Sequence, residues 1–216
     1  MIGVFLLADG QWRTHHWGPR KQLFVWQHVL ALRTALAARG IALHIEHAPR
    51  LDDAPGALAA FVLHHNARRV LANAEYGVDE GARDRRVAVR LAAHRVKLRV
   101  LHDFTLLAPG SVLTRQGAPF RVFSPFRRAW LDVVRGAAIP CFPAPPLRTP
   151  IEPPPVPPWN PPPGSLDRDW WPIGENRARQ QLEDFVAHRI ERYHDCLLYT
   201  SPSPRDRTRS RMPSSA

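Results

Sequence analysis

The chain has 216 residues, 44% of them hydrophobic, and a formal charge of +11 from 30 Lys and Arg against 19 Asp and Glu. That length builds one sizeable core, or one domain and part of another. No apolar run is long enough to cross a membrane, so no membrane partner is expected. The charge favours an anionic partner such as nucleic acid, although an arginine-rich soluble protein would carry the same balance.

Residues 2–8, IGVFLLA, form a continuous apolar run ending at Asp9-Gly10, and read as a strand of a parallel sheet covered on both faces. The stretch MIGVFLLADGQW lacks the basic start and the cleavage site of a secretory signal. Residues 21–39 place Val25, Val29, Leu32 and Leu36 on a helical stripe that stops at Gly40. A strand over 41–48, a helix over 54–66, a strand over 68–75, a helix over 78–95 and a strand over 97–103 follow. Strands alternating with helices at this spacing predict βαβ units, an α/β fold and one open parallel sheet with helices on both faces. Residues 106–114 read as a loop turning at Pro109-Gly110. Residues 124–136 read as a helix with Ser124 as N-cap and Pro125 at its first position.

The composition changes at Ala137. Fourteen of the 23 prolines lie between positions 140 and 172, including PPPVPPWNPPPG. Such a run forms neither helix nor ladder, and it predicts an extended linker over 137–168. Residues 175–195 resume helical spacing with Leu182, Phe185, Val186, Ile190 and Tyr193, as the first helix of a second, all-α domain beginning near 169.

The chain carries no G-x-G-x-x-G after a strand, no Walker A loop and no G-x-S-x-G elbow. His15-His16, His64-His65 and HIEH (44–47) lack a ligand set at metal spacing, and Cys141 and Cys196 fit neither a disulfide framework nor a zinc site. No metal is expected, and a reducing cytoplasm is the expected compartment. NAEYGVDEGARD (73–84) spans a strand end and a helix start, where open α/β sheets bind ligands. Asp79 and Glu80 there can accept hydrogen bonds from a ring N–H or amino group. Acids in a first helical turn also serve the helix dipole, so both readings stand. In PFRVFSPFRRAW (119–130) the spacing predicts that Phe123, Phe126 and Trp130 are buried while the arginines stay in water. Trp170-Trp171 reads as an interdomain plug.

QWRTHHWGPRKQLF, EYGVDEGARD, LLAPGSVLTRQGAPFRVFSPFRRAWL and WPIGENRARQQLEDFVAHRIERYHD resemble, in order and spacing, the N-terminal half of the DNA photolyase/cryptochrome family. The likeness is greatest to bacterial cyclobutane-pyrimidine-dimer photolyases with a folate antenna. The resemblance implies a Rossmann-like antenna domain followed by a helical FAD domain. It also implies light-driven splitting of pyrimidine dimers in damaged DNA by an electron from reduced FAD. A stacked dimer cannot reach a buried flavin, so the lesion must flip out. A monomer is expected. The resemblance places Asp79 and Glu80 at the reduced-folate antenna and Tyr193 at FAD. The family usually has Asn where this chain has Asp79, and an ionised Asp only accepts hydrogen bonds. A cryptochrome-type photoreceptor, or an antenna-binding module without activity, is the alternative.

The family's opening strand with its W-F-R-x-D-L-R-like motif is not seen. The chain is therefore expected to begin at the second strand of the fold (1–136), to leave an open edge or a central slot, and to be inactive alone. Residues 196–216 read differently again. CLLYTSPSPRD and SRMPSSA back-translate to stretches resembling the two ends of a sequencing adapter, so the tail is expected to be adapter read-through and disordered. Its arginines are set aside as evidence for DNA binding.

Overall fold

The structure, a computed structural model, describes residues 1–137 and 141–193. The expected adapter tail at 196–216 lies outside the described residues, as do the last two positions of the helix expected to end at 195. The elements run β1 (Ile2–Leu7), α1 (Asp9–Thr14), α2 (Pro19–Ala37), β2 (Ala42–His47), α3 (Ala54–His64), β3 (Arg69–Asn73), α4 (Val78–Ala93), β4 (Lys97–Leu101), α5 (Phe123–Gly136) and α6 (Glu175–His188). A 3-10 turn over Ile190–Arg192 follows α6.

The alternation of strand and helix is as the sequence predicts, and the pairing is parallel throughout, but the strands do not form one sheet. β1 pairs with β2, from Ile2 opposite Ala42 to Leu7 opposite His47. β3 pairs with β4, from Arg69 opposite Lys97 to Asn73 opposite Leu101. No ladder joins the two pairs among the described residues.

Two apolar clusters hold these strands. Alternate side chains point to opposite faces, so Phe5, Leu7 and Ile45 meet Trp12, Trp26 and Val29 on the α1–α2 side. Val4 and Leu6 face the other way, onto Leu58 and Val62 of α3 and Val87 and Leu91 of α4. Val70 and Leu98 rest on that same cluster. α2 covers one face of β1–β2, and α3 and α4 form the layer beneath both pairs.

Several local expectations change. Asp9-Gly10, where the apolar run ends, starts a short helix, α1, that was not expected, because the chain tucks in at once: Gln11 N donates to Pro49 O at 2.7 Å, and Trp12 enters the core. On α2 the buried positions are Gln22, Leu23, Trp26, Val29 and Ala37, while Leu32 is exposed; the tryptophan shifts the inward stripe from the one expected. Helix α5 starts one residue early with Val122 as N-cap. Ser124 lies inside the first turn and makes no capping bond. Phe123 is 71% exposed, against the expectation of burial. Phe126 and Trp130 are half-buried, and they line a shallow cavity of about 220 Å3 with the loop Thr105–Val112. Trp170 is 80% exposed, and Trp171 packs edge-on to Phe24 of α2 with ring centroids 5.7 Å apart.

The proline-rich stretch runs extended across α2. Ile151 N donates to Ala37 O at 3.0 Å, and Arg33 Nε donates to Pro154 O at 2.8 Å. Prolines have no N–H, so their carbonyls must find donors elsewhere, and arginines on the helix supply them. Trp159 is inserted edge-on between Trp12 and Trp26, with centroids 6.0 and 4.8 Å away. Gly40 has φ +69, and a Cβ there would strike the Thr149 carbonyl. The helix end thus needs glycine both for its turn and for the strap's close approach.

Candidate functional site

The carboxyl ends of all four strands carry polar side chains, and this edge is the candidate site. Asp9 follows β1, His47 ends β2, Glu75 and Tyr76 follow β3, and His102 and Asp103 follow β4. Parallel strands stop together at one edge while their crossover helices begin there, so the loops and helix N-termini converge on it.

Asp9 is buried, and it is held from two sides. His47 Nε2 donates to Oδ1 at 2.7 Å, and Arg13 Nη1 donates to Oδ2 at 2.8 Å. A carboxylate can only accept, which fixes the proton of this His47 contact on Nε2. Burial works against ionisation of Asp9, but the hydrogen bonds and charges of His47 and Arg13 outweigh it and hold the carboxyl below its ordinary value. The sequence reading missed this trio. The available signal was positional: each strand-end polar residue marks the ligand edge, but the partnership of Asp9 and His47 spans a crossover and has no local signature.

Across the edge, Asp79 and Glu80 stand in the first turn of α4, as expected. The N-cap, Gly77, offers no side chain. Glu80 folds back over Gly77, so a side chain at 77 would displace its carboxylate. Asp79 is largely exposed, and its Oδ2 is 3.6 Å from His15 Nε2, itself 2.7 Å from Gln11 Nε2. His15 ends α1, so this contact links the β1–β2 side to the β3–β4 side. Arg83 is mostly buried. It donates through Nη2 to Glu75 Oε2 at 2.7 Å and through Nε to Asp84 Oδ1 at 2.9 Å. Burial alone would lower its pKa, but these two acids raise it and keep the guanidinium charged. Tyr76 and His102 stack, with Oη and Nδ1 3.0 Å apart. Asn73 Nδ2 donates to Asp103 Oδ2 at 3.4 Å.

The edge therefore presents acceptors (Asp79, Glu80) beside a stacked aromatic pair. That set can hold a flat heterocycle through its ring N–H and amino donors. Tyr193 is not part of it. It follows the 3-10 turn, is 52% exposed, and meets Phe185 edge-on at 5.8 Å. A separate polar cleft of about 580 Å3 lies along α6, lined by residues including Arg168, Arg177, Asp184 and Arg189. The histidine pairs form no metal site: among the described residues, no group of three or more His, Cys, Asp or Glu could hold an ion. His64 and His65 instead sit ring to ring, with His44 4.7 Å from His65.

Residues 1–149 match the family model described as DNA photolyase. The chain is 29% identical over 209 residues to the deoxyribodipyrimidine photo-lyase of Vibrio cholerae, covering 90% of this chain and 42% of that relative. A bacterial class III photolyase from Agrobacterium tumefaciens has a similar structure, with TM-score 0.64 at 24% identity over 86% of this chain and 39% of that one. A cryptochrome from Synechocystis is similar at TM-score 0.63 and 20% identity, over 90% of this chain and 42% of that one. At these identities the structural likenesses speak to the fold alone. The chain thus spans well under half the length of these relatives, and it belongs to the DNA photolyase family.

Proposed function

We propose that this chain is the antenna-binding α/β part of a light-dependent DNA repair enzyme, a deoxyribodipyrimidine photolyase that splits cyclobutane pyrimidine dimers in damaged DNA. The observation that carries this reading is the match of residues 1–149 to the DNA photolyase family, together with curated relatives of that one activity. In this reading Asp79 and Glu80 hold the reduced-folate antenna. Their side chains fit, because a reduced pterin offers amino and ring N–H donors and this edge offers carboxylate acceptors in the first turn of α4. His15 Nε2 lies 3.6 Å from the Asp79 carboxylate, on the α1 side.

FAD, when bound, supplies the electron that opens the cyclobutane ring. Tyr193 would line its site in the helical domain. It follows the 3-10 turn and would contribute an aromatic face at the start of that domain. DNA is the proposed partner. It would be drawn by the positive charge and would deliver a flipped dimer. No helix among the described residues is long and apolar enough to cross a membrane.

A cryptochrome-type photoreceptor is the second reading, favoured only by a structural likeness equal to that of the photolyase. One experiment separates the two. The protein is expressed with its residues 1–193 in a chain of the relatives' full length, and irradiated with blue light over dimer-containing DNA. Loss of dimers in the light but not in the dark is expected. Flavin photoreduction with the dimers intact would establish the photoreceptor reading instead.

A further inference from the structure

The amino ends of β3 and β4, on the side of the sheet away from the ligand edge, collect positive charge. Residues 54–74 carry α3 and β3, residues 85–102 carry most of α4 and all of β4, and neither run contains an Asp or Glu. Where the two helices turn back into their strands stand Arg68, Arg69, Arg95, Lys97 and Arg99, all exposed. Both turns are internal crossover connections, so the crossovers themselves build this cluster.

The parallel register sets like charges side by side. Arg69 lies opposite Lys97 and Leu71 opposite Arg99, and Lys97 N donates to Arg68 O at 3.2 Å. Val70 and Leu98 turn onto the apolar cluster, so Arg69, Lys97 and Arg99 project from the other face. Paired strands run ~4.8 Å apart, and like charges directly opposite one another destabilise a sheet. Among the described residues, no ion pair reaches any of the five cations. Arg95 also holds φ +58, a helix-end conformation that favours glycine.

Helix dipoles explain only part of this. α3 ends at His64, and α4 ends at Ala93 with His94 as its C-cap. Cations near a helix C-terminus are stabilising, but the effect fades within the last turn. It accounts for Arg95 and leaves Arg69, Lys97 and Arg99, which stand on the strands, without a structural reason. Uncompensated like charges on a sheet face break a local rule of folding, and such breaks mark functional surfaces.

We propose that this amino edge of β3–β4 is a contact surface for duplex DNA that grips the phosphodiester backbone without reading sequence. A phosphate backbone supplies the closely spaced anions that the sheet lacks. No Phe, Tyr or Trp lies within 62–75 or 85–103, so the patch offers no platform on which unpaired bases could stack. That favours the outside of a duplex over a single strand. Preferring DNA to other polyanions rests on the proposed repair function; the patch itself does not.

The test titrates the whole chain into a labelled, undamaged duplex of about 20 base pairs in the dark, at about 50 and 200 mM salt. Arg69→Gln, Lys97→Gln and Arg99→Gln are combined in one variant. A control combines Arg20→Gln, Arg50→Gln and Arg148→Gln, which remove the same charge from exposed sites elsewhere. The patch variant should bind at least tenfold more weakly at the lower salt, with a salt slope shallower by about 2–3. The control should weaken binding less than threefold. The patch variant's melting temperature should hold or rise, because a repulsion has been removed. On the unaltered chain, the duplex should slow amide exchange over 66–71 and 94–99 and leave 75–80 unchanged. Equal weakening by the control, an unchanged slope, or no protection at 66–71 and 94–99 would overturn the proposal. Tighter binding of polyglutamate than of the duplex would also overturn it, by making an acidic protein the partner. Undamaged DNA in the dark needs neither flavin nor lesion. Failure here therefore leaves the repair reading standing, and failure of light-driven repair leaves this surface standing.

Discussion

The β1–β2 and β3–β4 pairs are alike in length and direction and opposite in cover. Leu7 is 0% exposed, Leu43 6% and Ile45 5%, whereas Leu71 is 55% and Val100 40% exposed. The first pair has α2 on one face and α3 on the other, and the proline-rich strap pins Trp159 against the far side of Trp12 and Trp26. The second pair has the α3–α4 layer beneath it and only half-covered or exposed residues above. Pairing therefore does not measure how firmly a strand is held; burial on both faces does. The candidate edge spans both pairs, so its two halves differ in cover. Asp9 and His47 sit on the firm half, and Asp79 and Glu80 on the other.

Breaking the shared floor should have the largest effect. Leu91 is 0% exposed and lies in the cluster that carries both pairs. Leu91→Ala is expected to cost about 2–5 kcal/mol in denaturant unfolding, within the range for buried leucines. A loss below about 1 kcal/mol would mean that the pairs do not share that floor. Removing the strap's anchor should weaken only the firm half. Trp159 is half-buried, so Trp159→Ala should cost roughly 1–3 kcal/mol, less than a fully buried tryptophan. Amide exchange should rise in α2 and leave β3–β4 unchanged.

Acid should also act on the firm half. The folded pKa of Asp9 lies below its ordinary value of 3.8. Its contribution is therefore complete above pH 3.8 and is lost as pH falls from there through the folded pKa. Melting curves between pH 6 and pH 2.5 should show this loss, and Asp9→Asn should flatten that part of the profile. At neutral pH the same substitution should cost about 1.5–3 kcal/mol, the worth of hydrogen bonds to a charged group. The smallest effect belongs to the open half. Asp79 is exposed, with His15 Nε2 3.6 Å from its carboxylate, so Asp79→Asn should change stability by less than about 0.5 kcal/mol. In the proposed reading the same change alters reduced-folate affinity in a fluorescence titration, separating a binding residue from a structural one.

Much of this was legible in the chain itself. Continuous apolar runs such as IGVFLLA, followed by helical spacing, locate the four strands to within a few residues. EYGVDEGARD places two acids at a strand-end helix start, where they stand. The rest depends on partners distant in sequence. Trp26 turns α2 so that Leu32 faces water, and no local period of α2 reports that. Phe123 is apolar and was expected inside, yet no element among the described residues covers it. HIEH looked like plain alternation until His47 met Asp9, 38 positions away. The split of the sheet is likewise absent from the periodicity of either strand, because pairing is set by which edges meet; only the family resemblance, through the opening strand that is not seen, led to the expectation of an open edge or a central slot.

Hydrogen exchange by mass spectrometry on the whole chain at neutral pH tests the inequality of the two pairs most directly. The account predicts that amides of β1 and β2 exchange at least ten times more slowly than those of β3 and β4, with α2 among the slowest helices. Equal protection of the two pairs, or slower exchange in β3 and β4, would contradict it.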